Sequence, residues 1–174
     1  MKDLTKTEAK INSKIGRAIN DYGLISGGDR ILVAVSGGKD SLTLLNMLKK
    51  IQSWAPVKFH LYAAHITTDF SCSSCVNAES LKSIFESVGV DSFFSHVNVL
   101  DSNGETSCFW CSWNKRKALF ELAEKNFCNK IAFGHHKDDI VETVLLNLLF
   151  KGEISAINPK QSLFDGKLTL IRPL

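Results

Sequence analysis

Residues 33–41, with the sequence VAVSGGKDS, combine residue types that suit the binding of an anion. An apolar run of strand length, residues 31–35, leads through two glycines directly into a helical pattern. Gly37 and Gly38 let backbone N–H groups approach an anion closely, and the positive end of the helix dipole lies beside them. The segment therefore predicts a phosphate-binding loop.

The side chains of this loop narrow the chemistry. Ser36 and Ser41 offer hydroxyl groups, Lys39 offers a compact cation, and Asp40 suits a Mg²⁺ ion better than a bare phosphate. The glycine spacing matches neither the P-loop nor the dinucleotide-binding motif, which disfavours transfer of a γ-phosphoryl group. The alternative is a plain strand-to-helix turn with a serine cap, which would not need a lysine beside an aspartate.

Four of the five cysteines form two Cys-x-x-Cys pairs, Cys72 with Cys75 and Cys108 with Cys111. In a reducing compartment such pairs are more natural as metal ligands or catalytic thiols than as disulfides. Together they suit a Cys₄ site for Zn²⁺ or an iron–sulfur cluster, and a persulfide on one cysteine is a third alternative. Cys128 stands alone, and we expect it in the core.

Strands alternate with helices along the chain, which predicts an α/β fold with a doubly wound parallel sheet. Helices are predicted over 5–22, from 42 onward, and over 78–88, 112–126 and 138–150; strands are predicted over 31–35, 59–66, 93–99, 130–133 and 167–171. Ligands of such sheets bind at the carboxyl ends of the strands, where Ser36, His65 and Gly134 fall. We expect a single fold, with a basic amphipathic helix in 1–28 preceding a nucleotide-binding domain in 29–174.

Composition sets broad limits on the function. The chain has 174 residues and a net charge of +3, which permits a polyanionic partner without requiring one. The sequence has no apolar signal segment and no stretch near the roughly 20 apolar residues of a membrane span. We therefore expect a cytoplasmic protein without a membrane partner.

Two groups of side chains suit an RNA ligand. Basic residues follow one side of the first predicted helix and recur beside the second cysteine pair; they are Lys2, Lys6, Lys10, Lys14, Arg17, Lys115, Arg116 and Lys117. They suit an RNA backbone, although any soluble helix has a charged face. Trp110 and Trp113 suit stacking on a splayed base, or alternatively the shielding of a metal loop.

Several segments together resemble the PP-loop, or N-type, ATP pyrophosphatases, and among them the tRNA 2-thiocytidine synthetases. They are SGGKDS at 36–41, CFWCSWNKRKALF at 108–120, KIAFGHHKDDIVETVLLNLLF at 130–150 and LIRPL at 170–174. The resemblance runs from about Asp29 to the last residue. It implies a three-layer α/β/α fold of the adenine-nucleotide α-hydrolase (HUP) type, which binds ATP, splits the α–β phosphate bond and leaves an adenylated intermediate.

The resemblance also implies roles for single residues. The pyrophosphate end of ATP is expected at Ser36, Gly37, Gly38, Lys39, Asp40 and Ser41. Ala64 and His65 are expected near the adenine, and Gly134 beside the nucleotide. His135, Asp138 and Asp139 are expected to face the phosphates or the acceptor, although two aspartates at a helix start also suit capping. The expected catalytic residues are Lys39, Asp40, Cys108, Cys111, Asp138 and Asp139.

The expected cofactors are ATP, Mg²⁺ at Asp40 and a [4Fe–4S] cluster on Cys108 and Cys111, with Zn²⁺ as the alternative. A cluster with one open iron needs three thiolates, and in related enzymes the third lies beyond the point where this chain ends. Cys72 and Cys75 are the additional ligands that this sequence offers, and Cys128 is a weaker candidate.

The function expected from the resemblance is ATP-dependent tRNA thiolation. ATP adenylates the C2 oxygen of a pyrimidine, pyrophosphate leaves, and sulfur replaces AMP, as in 2-thiocytidine formation. The expected partners are tRNA and a sulfur donor such as a cysteine desulfurase, and a homodimer stays open. The alternatives are a ligase similar to tRNA lysidine synthetase, or a truncated and catalytically silent nucleotide- or zinc-binding protein.

Overall fold

A computed structural model describes residues 5–70 and 77–174. Its strands are β1 (Arg30–Ala34), β2 (His60–Thr68), β3 (Asp91–Val97), β4 (Lys130–Ala132), β5 (Lys160–Leu163) and β6 (Leu168–Ile171). Its α-helices are α1 (Lys6–Asp21), α2 (Lys39–Trp54), α3 (Ala78–Val88), α4 (Cys108–Lys125) and α5 (Lys137–Lys151). The predicted alternation of strands and helices is confirmed.

The strands form one sheet in the order β3-β2-β1-β4-β6-β5. All neighbouring pairs are parallel except β5 with β6, which is antiparallel. The chain builds outward from β1 to β3 and then crosses to β4 on the other side of β1. The carboxyl ends of β1 and β4 therefore form the switch point, which is where open α/β sheets bind ligands.

Alternate residues of β1 point to opposite faces of the sheet and into two separate cores. Ile31 and Val33 join a core formed with α1, α2 and α3, whereas Leu32 joins a core formed with α4. Helix α1 belongs to this structure because Ile15 is fully buried in the first core. The predicted doubly wound α/β/α architecture is confirmed.

Helix α1 begins with a capping box, in which Thr5 and Glu8 satisfy each other's backbone N–H groups. The basic side chains predicted on its outer face are exposed; they are Lys6, Lys10, Lys14 and Arg17. Lys2 lies outside the described residues. The described part of α1 thus has the predicted amphipathic character.

Strand β5 was not predicted. Its sequence, KQSL, lacks the apolar alternation that indicates a half-buried strand. It forms because it pairs with β6, with Gln161 opposite Leu170 and Ser162 opposite Thr169. An edge strand with polar side chains is a common way to end a parallel sheet.

Helix α4 begins at Cys108, earlier than the predicted start at Ser112. The Ser107 hydroxyl accepts a hydrogen bond from the N–H of Trp110 at 3.1 Å and caps the helix. The prediction that Cys108 and Cys111 precede the helix is therefore wrong, because both lie in its first turn. Helix α2 likewise begins at Lys39, so the end of the glycine loop is already helical.

Helix α5 has no buried residue. Its exposed apolar side chains are Val141, Leu145, Leu146, Leu148, Leu149 and Phe150. Several large apolar side chains exposed on one helix are typical of a surface that makes a protein contact. In the part of the chain that the structure describes, no helix combines the length and the hydropathy needed to cross a membrane.

Candidate functional site

The glycine loop after β1 is held by hydrogen bonds between its own residues. The Ser41 hydroxyl is buried, donates to the Gly38 carbonyl at 2.9 Å and lies 3.3 Å from the Ser36 hydroxyl. Gly37 has a φ of 94°, a conformation that a residue with a Cβ rarely adopts. The loop is therefore held by its own hydroxyl groups, and Gly37 is required for the turn.

The loop leads into an open helix N-terminus. Gly38 is the N-cap of α2 and has no side chain that could accept a hydrogen bond from the first-turn N–H groups. Lys39 and Asp40 form the start of that first turn. Unpaired N–H groups and the positive end of the dipole make such a terminus an anion site.

A cavity of about 650 Å³ opens beside this terminus, within the usual size range of small-ligand pockets. The residues proposed from the sequence that line it are Ser36, Gly38, Asp40, Ser41, Ala64, His65, Gly134, His135 and Asp139. Gly37, Lys39 and Asp138 do not line it. The structure therefore brings together the carboxyl ends of β1, β2 and β4, as the sequence predicts.

Other lining residues were not proposed for the nucleotide site; they are Ala34, Val35, Ile66, Thr67, Thr68, Phe70, Lys115, Leu119 and Phe133. Several of them continue β2 beyond His65 or precede Gly134 on the chain. These residues are neighbours of predicted site residues along the chain, and this proximity in sequence could have identified them.

His65 closes the cavity between β1 and β2. Its Nδ1 lies 2.7 Å from the Val35 carbonyl oxygen, and the Val35 N–H donates to the Ala64 carbonyl at 2.8 Å. A carbonyl oxygen only accepts, so Nδ1 carries a proton and donates to Val35. This hydrogen bond holds the His65 ring in one orientation at the boundary of the cavity.

Gly134 is packed against the start of α2. A Cβ at this position would lie 2.9 Å from the Ser41 backbone nitrogen and 3.1 Å from the Asp40 carbonyl carbon. Backbone atoms cannot move away as a flexible side chain can, so only glycine fits. This contact fixes the β4–α5 connection against the glycine loop and sets the width of the cavity.

His135 places an unsatisfied polar atom in the site. Its Nδ1 is buried and has no hydrogen-bond partner within residues 5–70 and 77–174. Burial lowers the pKa of His135, and the nearby Arg172 lowers it further, so the ring is neutral at neutral pH. Buried polar atoms are usually hydrogen-bonded, so a partner from outside the described residues, such as a bound water or ligand, would satisfy this nitrogen.

His136 lies between two carboxylates, which was not predicted. Its Nδ1 is 3.5 Å from Asp139 Oδ2, and its Nε2 is 4.0 Å from Asp40 Oδ2. The His136 N–H donates to Asp139 Oδ2 at 2.7 Å, so Asp139 caps α5 and lines the cavity at once. Asp138 is 85% exposed. One or two carboxylates with phosphate oxygens are the usual Mg²⁺ ligands, so Asp40 and Asp139 fit that ion.

The cysteines of α4 are accessible. Cys108 is exposed and Cys111 partly exposed, and their spacing places them on one side of the helix. Cys128 is buried in the core, where burial raises its pKa to about 11. Its burial in the core formed with α4 confirms its predicted core position.

The described residues do not complete a metal site. Within residues 5–70 and 77–174, no group of three or more His, Cys, Asp or Glu side chains is placed to hold a metal ion. Cys72 and Cys75, proposed as additional ligands, lie outside the described residues. Cys108 and Cys111 thus supply two thiolates, fewer than an iron–sulfur cluster with an open iron requires.

Comparisons with known proteins agree with this geometry. A family model described as PP-loop domain matches residues 7–174. The tRNA-cytidine(32) 2-sulfurtransferase of Delftia acidovorans is 38% identical, over 99% of this chain and 56% of its own length. That of Geobacter sulfurreducens is 42% identical, over 95% of this chain and 65% of its own. That of Geobacter metallireducens is 43% identical, over 97% and 67%.

Among solved structures, the chain is similar to the U34-tRNA thiolase NcsA from Methanococcus maripaludis with its [4Fe–4S] cluster. The TM-score is 0.72 at 21% identity, over 97% of this chain and 57% of that one. This likeness shows a shared fold. The chain spans only about half to two thirds of the length of the curated relatives that it matches.

Proposed function

The chain belongs to the PP-loop domain family, and from that premise we propose that it uses ATP to thiolate tRNA. The observation that carries the proposal is the open N-terminus of α2 at the mouth of a nucleotide-sized cavity. Three relatives that match nearly all of this chain carry the name tRNA-cytidine(32) 2-sulfurtransferase. The proposed reaction is therefore the conversion of a cytidine to 2-thiocytidine.

We place the pyrophosphate end of ATP on the glycine loop. The free N–H groups at the start of α2 and the Ser36 hydroxyl suit its oxygens, and Lys39 adds a cation at the edge. Asp40 and Asp139 are the proposed Mg²⁺ ligands. The adenine is placed against the end of β2, beside Ala64 and His65, because the cavity extends in that direction.

Adenylation is the first proposed step. The C2 oxygen of the pyrimidine attacks the α-phosphorus, and the bond to pyrophosphate breaks. Charge moves onto the departing pyrophosphate, where the N-terminus of α2 stabilises it without having to reorganise. A Mg²⁺ ion held by Asp40 and Asp139 would add positive charge there. His135 lines the cavity, and we place its ring beside the nucleotide or the acceptor. Asp138, exposed beside these groups, stays a weaker catalytic candidate.

Sulfur transfer is the second proposed step, and we assign it to Cys108 and Cys111. A sulfur nucleophile attacks C2, and AMP leaves with the original oxygen. A [4Fe–4S] cluster, of the kind that the thiolase NcsA holds, would supply an iron that holds the incoming sulfur. Because the described cysteines supply only two ligands, we derive no step through that cluster.

Binding of ATP is the first test. Calorimetry with a non-hydrolysable ATP analogue and Mg²⁺ should give saturable binding to the parent chain, and Ser41→Ala should weaken it. Ser53→Ala is the matched control, because Ser53 lies on the same helix, is exposed and bonds only to a helix carbonyl. A folded parent chain that binds no nucleotide would contradict the whole proposal.

Thiolation is the second test. The protein with its sulfur donor, ATP and tRNA should produce a thiolated cytidine, detected by mass spectrometry of tRNA nucleosides. Cys108→Ser should abolish this product and leave ATP binding intact. Normal thiolation by Cys108→Ser would remove the cysteines from the mechanism and favour the chemistry of a lysidine-type ligase, which needs no Cys-x-x-Cys pair.

We also propose protein partners, a sulfur donor of the cysteine desulfurase class and a second copy of the chain. The apolar side chains of α5 support a protein contact because they are exposed along the whole helix. Sedimentation of the parent chain and of a Leu145→Lys, Leu149→Lys variant tests the homodimer. A monomeric parent chain would contradict it.

A further inference from the structure

The first turns of α4 present a pair of stacked tryptophans to solvent. The ring centroids of Trp110 and Trp113 are 5.6 Å apart, with an interplanar angle of 9°. The two residues are 49% and 46% exposed. Large aromatic surfaces that stay in water usually serve recognition, because their burial against a ligand is strongly favourable.

A lysine lies beside this pair. Lys117 Nζ lies 5.9 Å from the centroid of the Trp113 ring. The first turn of α4 has no acidic residue. Within the described part of the chain, the carboxylate paired with Lys117 is that of Glu121, at 3.8 Å between two exposed side chains. Such a pair is weak and leaves the lysine available to a phosphate.

Exposed aromatic rings beside lysine side chains are a combination that binds unpaired nucleotides. Each base stacks on a ring through its π-face, and the cations neutralise the backbone. Paired RNA does not fit, because its bases are already stacked inside the helix. If the tryptophans only shielded neighbouring thiols, their rings would be buried, whereas about half of each residue is exposed.

We propose that Trp110 and Trp113 form a stacking platform for an unpaired base of the acceptor RNA. This rests on the proposed function, in which that RNA is the substrate. One outer face of the pair is near Lys117, so the open face of Trp110 takes the base.

The platform predicts a selective loss of RNA affinity. Binding of an end-labelled, tRNA-derived RNA stem–loop to the chain is measured by fluorescence anisotropy. Trp110→Ala should raise the Kd about tenfold or more, because base–aromatic stacking has that size. Trp110→Phe should raise it less, because a phenyl ring still stacks. A fully paired RNA duplex should bind the parent and Trp110→Ala equally.

Trp54→Ala is the matched control. Trp54 is 51% exposed and ends α2, about 24 Å along that helix from the glycine loop. Its removal should leave the Kd for the stem–loop unchanged. Circular dichroism of each variant confirms that the fold is retained.

Fluorescence gives a second measurement. The chain has three tryptophans, so Trp54→Phe leaves only the proposed platform as an indole signal. The stem–loop should quench this signal more strongly than the duplex at equal occupancy, because a stacked base quenches an indole that it covers. Equal quenching by both probes would contradict stacking.

The outcomes separate this inference from the proposed function. If ATP does not bind but stem–loop affinity depends on Trp110, the nucleotide assignment fails and the platform stands. The platform is overturned if Trp110→Ala binds the stem–loop like the parent chain. It is also overturned if the parent chain binds the stem–loop no more tightly than the duplex, whether or not ATP binds.

Discussion

The glycine loop and the start of α4 differ in how much of their structure this chain supplies. The loop is enclosed by β1, β4 and α2, and its residues satisfy each other's hydrogen bonds. The start of α4 exposes Cys108, Phe109 and Trp110. The proposed nucleotide half of the site, the cradle formed by the glycine loop with β1, β4 and α2, is thus held by its own hydrogen bonds and packing, whereas the proposed sulfur half exposes its side chains.

The two regions should also differ in how substitutions change the free energy of unfolding. Residues in the loop are coupled to the core, so their substitution should lower both stability and nucleotide affinity. Residues at the start of α4 contact little, so their substitution should leave stability unchanged and affect only the steps that use them. Unfolding and ligand-binding measurements on matched variants therefore test each side of this contrast.

The largest effect on stability is expected for the buried ion pair that joins β4 to the start of β1. Lys130 Nζ lies 2.6 Å from Asp29 Oδ2 and donates to the Leu24 carbonyl at 2.7 Å, and both charged groups are buried. Lys130→Met should lower the free energy of unfolding by about 3–5 kcal/mol, because it leaves a buried carboxylate without its cation. Urea unfolding measures this change.

Lys50→Met is the control, because Lys50 pairs with Glu8 at the surface. Its effect should stay near about 0–1 kcal/mol. Equal losses in the two variants would show that burial of the Asp29–Lys130 pair does not matter.

The same pair predicts a pH dependence. Burial raises the pKa of Asp29, but hydrogen bonds from Lys130, the Ser26 N–H and Asn129 outweigh burial, and the pKa ends below 3.8. The stabilisation is therefore complete above pH 3.8 and is lost as the pH falls through the lower folded-state pKa. The difference between the parent chain and Lys130→Met should shrink over that acid range in urea unfolding.

Gly134→Ala should have the next largest effect. The added methyl group would meet backbone atoms of Ser41 and Asp40 that cannot yield, so the β4–α5 connection must shift. We expect a loss of about 1–3 kcal/mol in the free energy of unfolding, together with weaker ATP binding by calorimetry. Gly27→Ala is the control, because a Cβ there meets nothing within 4 Å. Unchanged ATP affinity in Gly134→Ala would show that the cavity tolerates a shift.

Ser41→Ala should cost less stability. It removes the buried hydroxyl that bonds to the Gly38 carbonyl and contacts Ser36. A typical intramolecular hydrogen bond contributes about 1 kcal/mol, and we expect a loss of that size by urea unfolding. Ser53→Ala, on the exposed side of α2, should stay within about 0.5 kcal/mol of the parent chain. Equal values for the two variants would mean that the loop is not held by Ser41.

Sequence patterns predicted the cradle better than the start of α4 for a physical reason. The residues of β1 are buried on both faces, so the strand appears as a continuous apolar run. The first turn of α4 faces solvent, so apolar periodicity begins only deeper in the helix, and its start depends on the Ser107 cap. Strand β5 was likewise missed, because its sequence is polar and it forms only through its pairing with β6.

Contacts between distant segments were beyond the sequence. The position of His136 between Asp40 and Asp139 arises because Gly134 brings the β4–α5 connection onto α2. No hydrophobic periodicity in the sequence indicates that contact. The residue types of the site could be predicted, but not which of the two aspartates at the start of α5 both caps the helix and lines the cavity.

The smallest effect on stability is expected for Cys108→Ser, and this variant tests the other side of the contrast. Cys108 is exposed at the start of α4, so its replacement should change the free energy of unfolding by less than about 0.5 kcal/mol. Cys128→Ser is the matched comparison. It replaces a buried thiol, which donates to the Asn126 carbonyl at 3.7 Å, by a smaller and more polar hydroxyl, and it should cost about 1–3 kcal/mol.

Reactivity should separate the two thiols in the same way. Cys108 should react with iodoacetamide in the folded chain, whereas burial and a pKa of about 11 should protect Cys128 until the chain unfolds. Mass spectrometry of the alkylated peptides measures both. A Cys108 that is protected in the folded chain, or whose replacement destabilises the fold like that of Cys128, would mean that it serves packing. The sulfur half would then be as preformed as the nucleotide half.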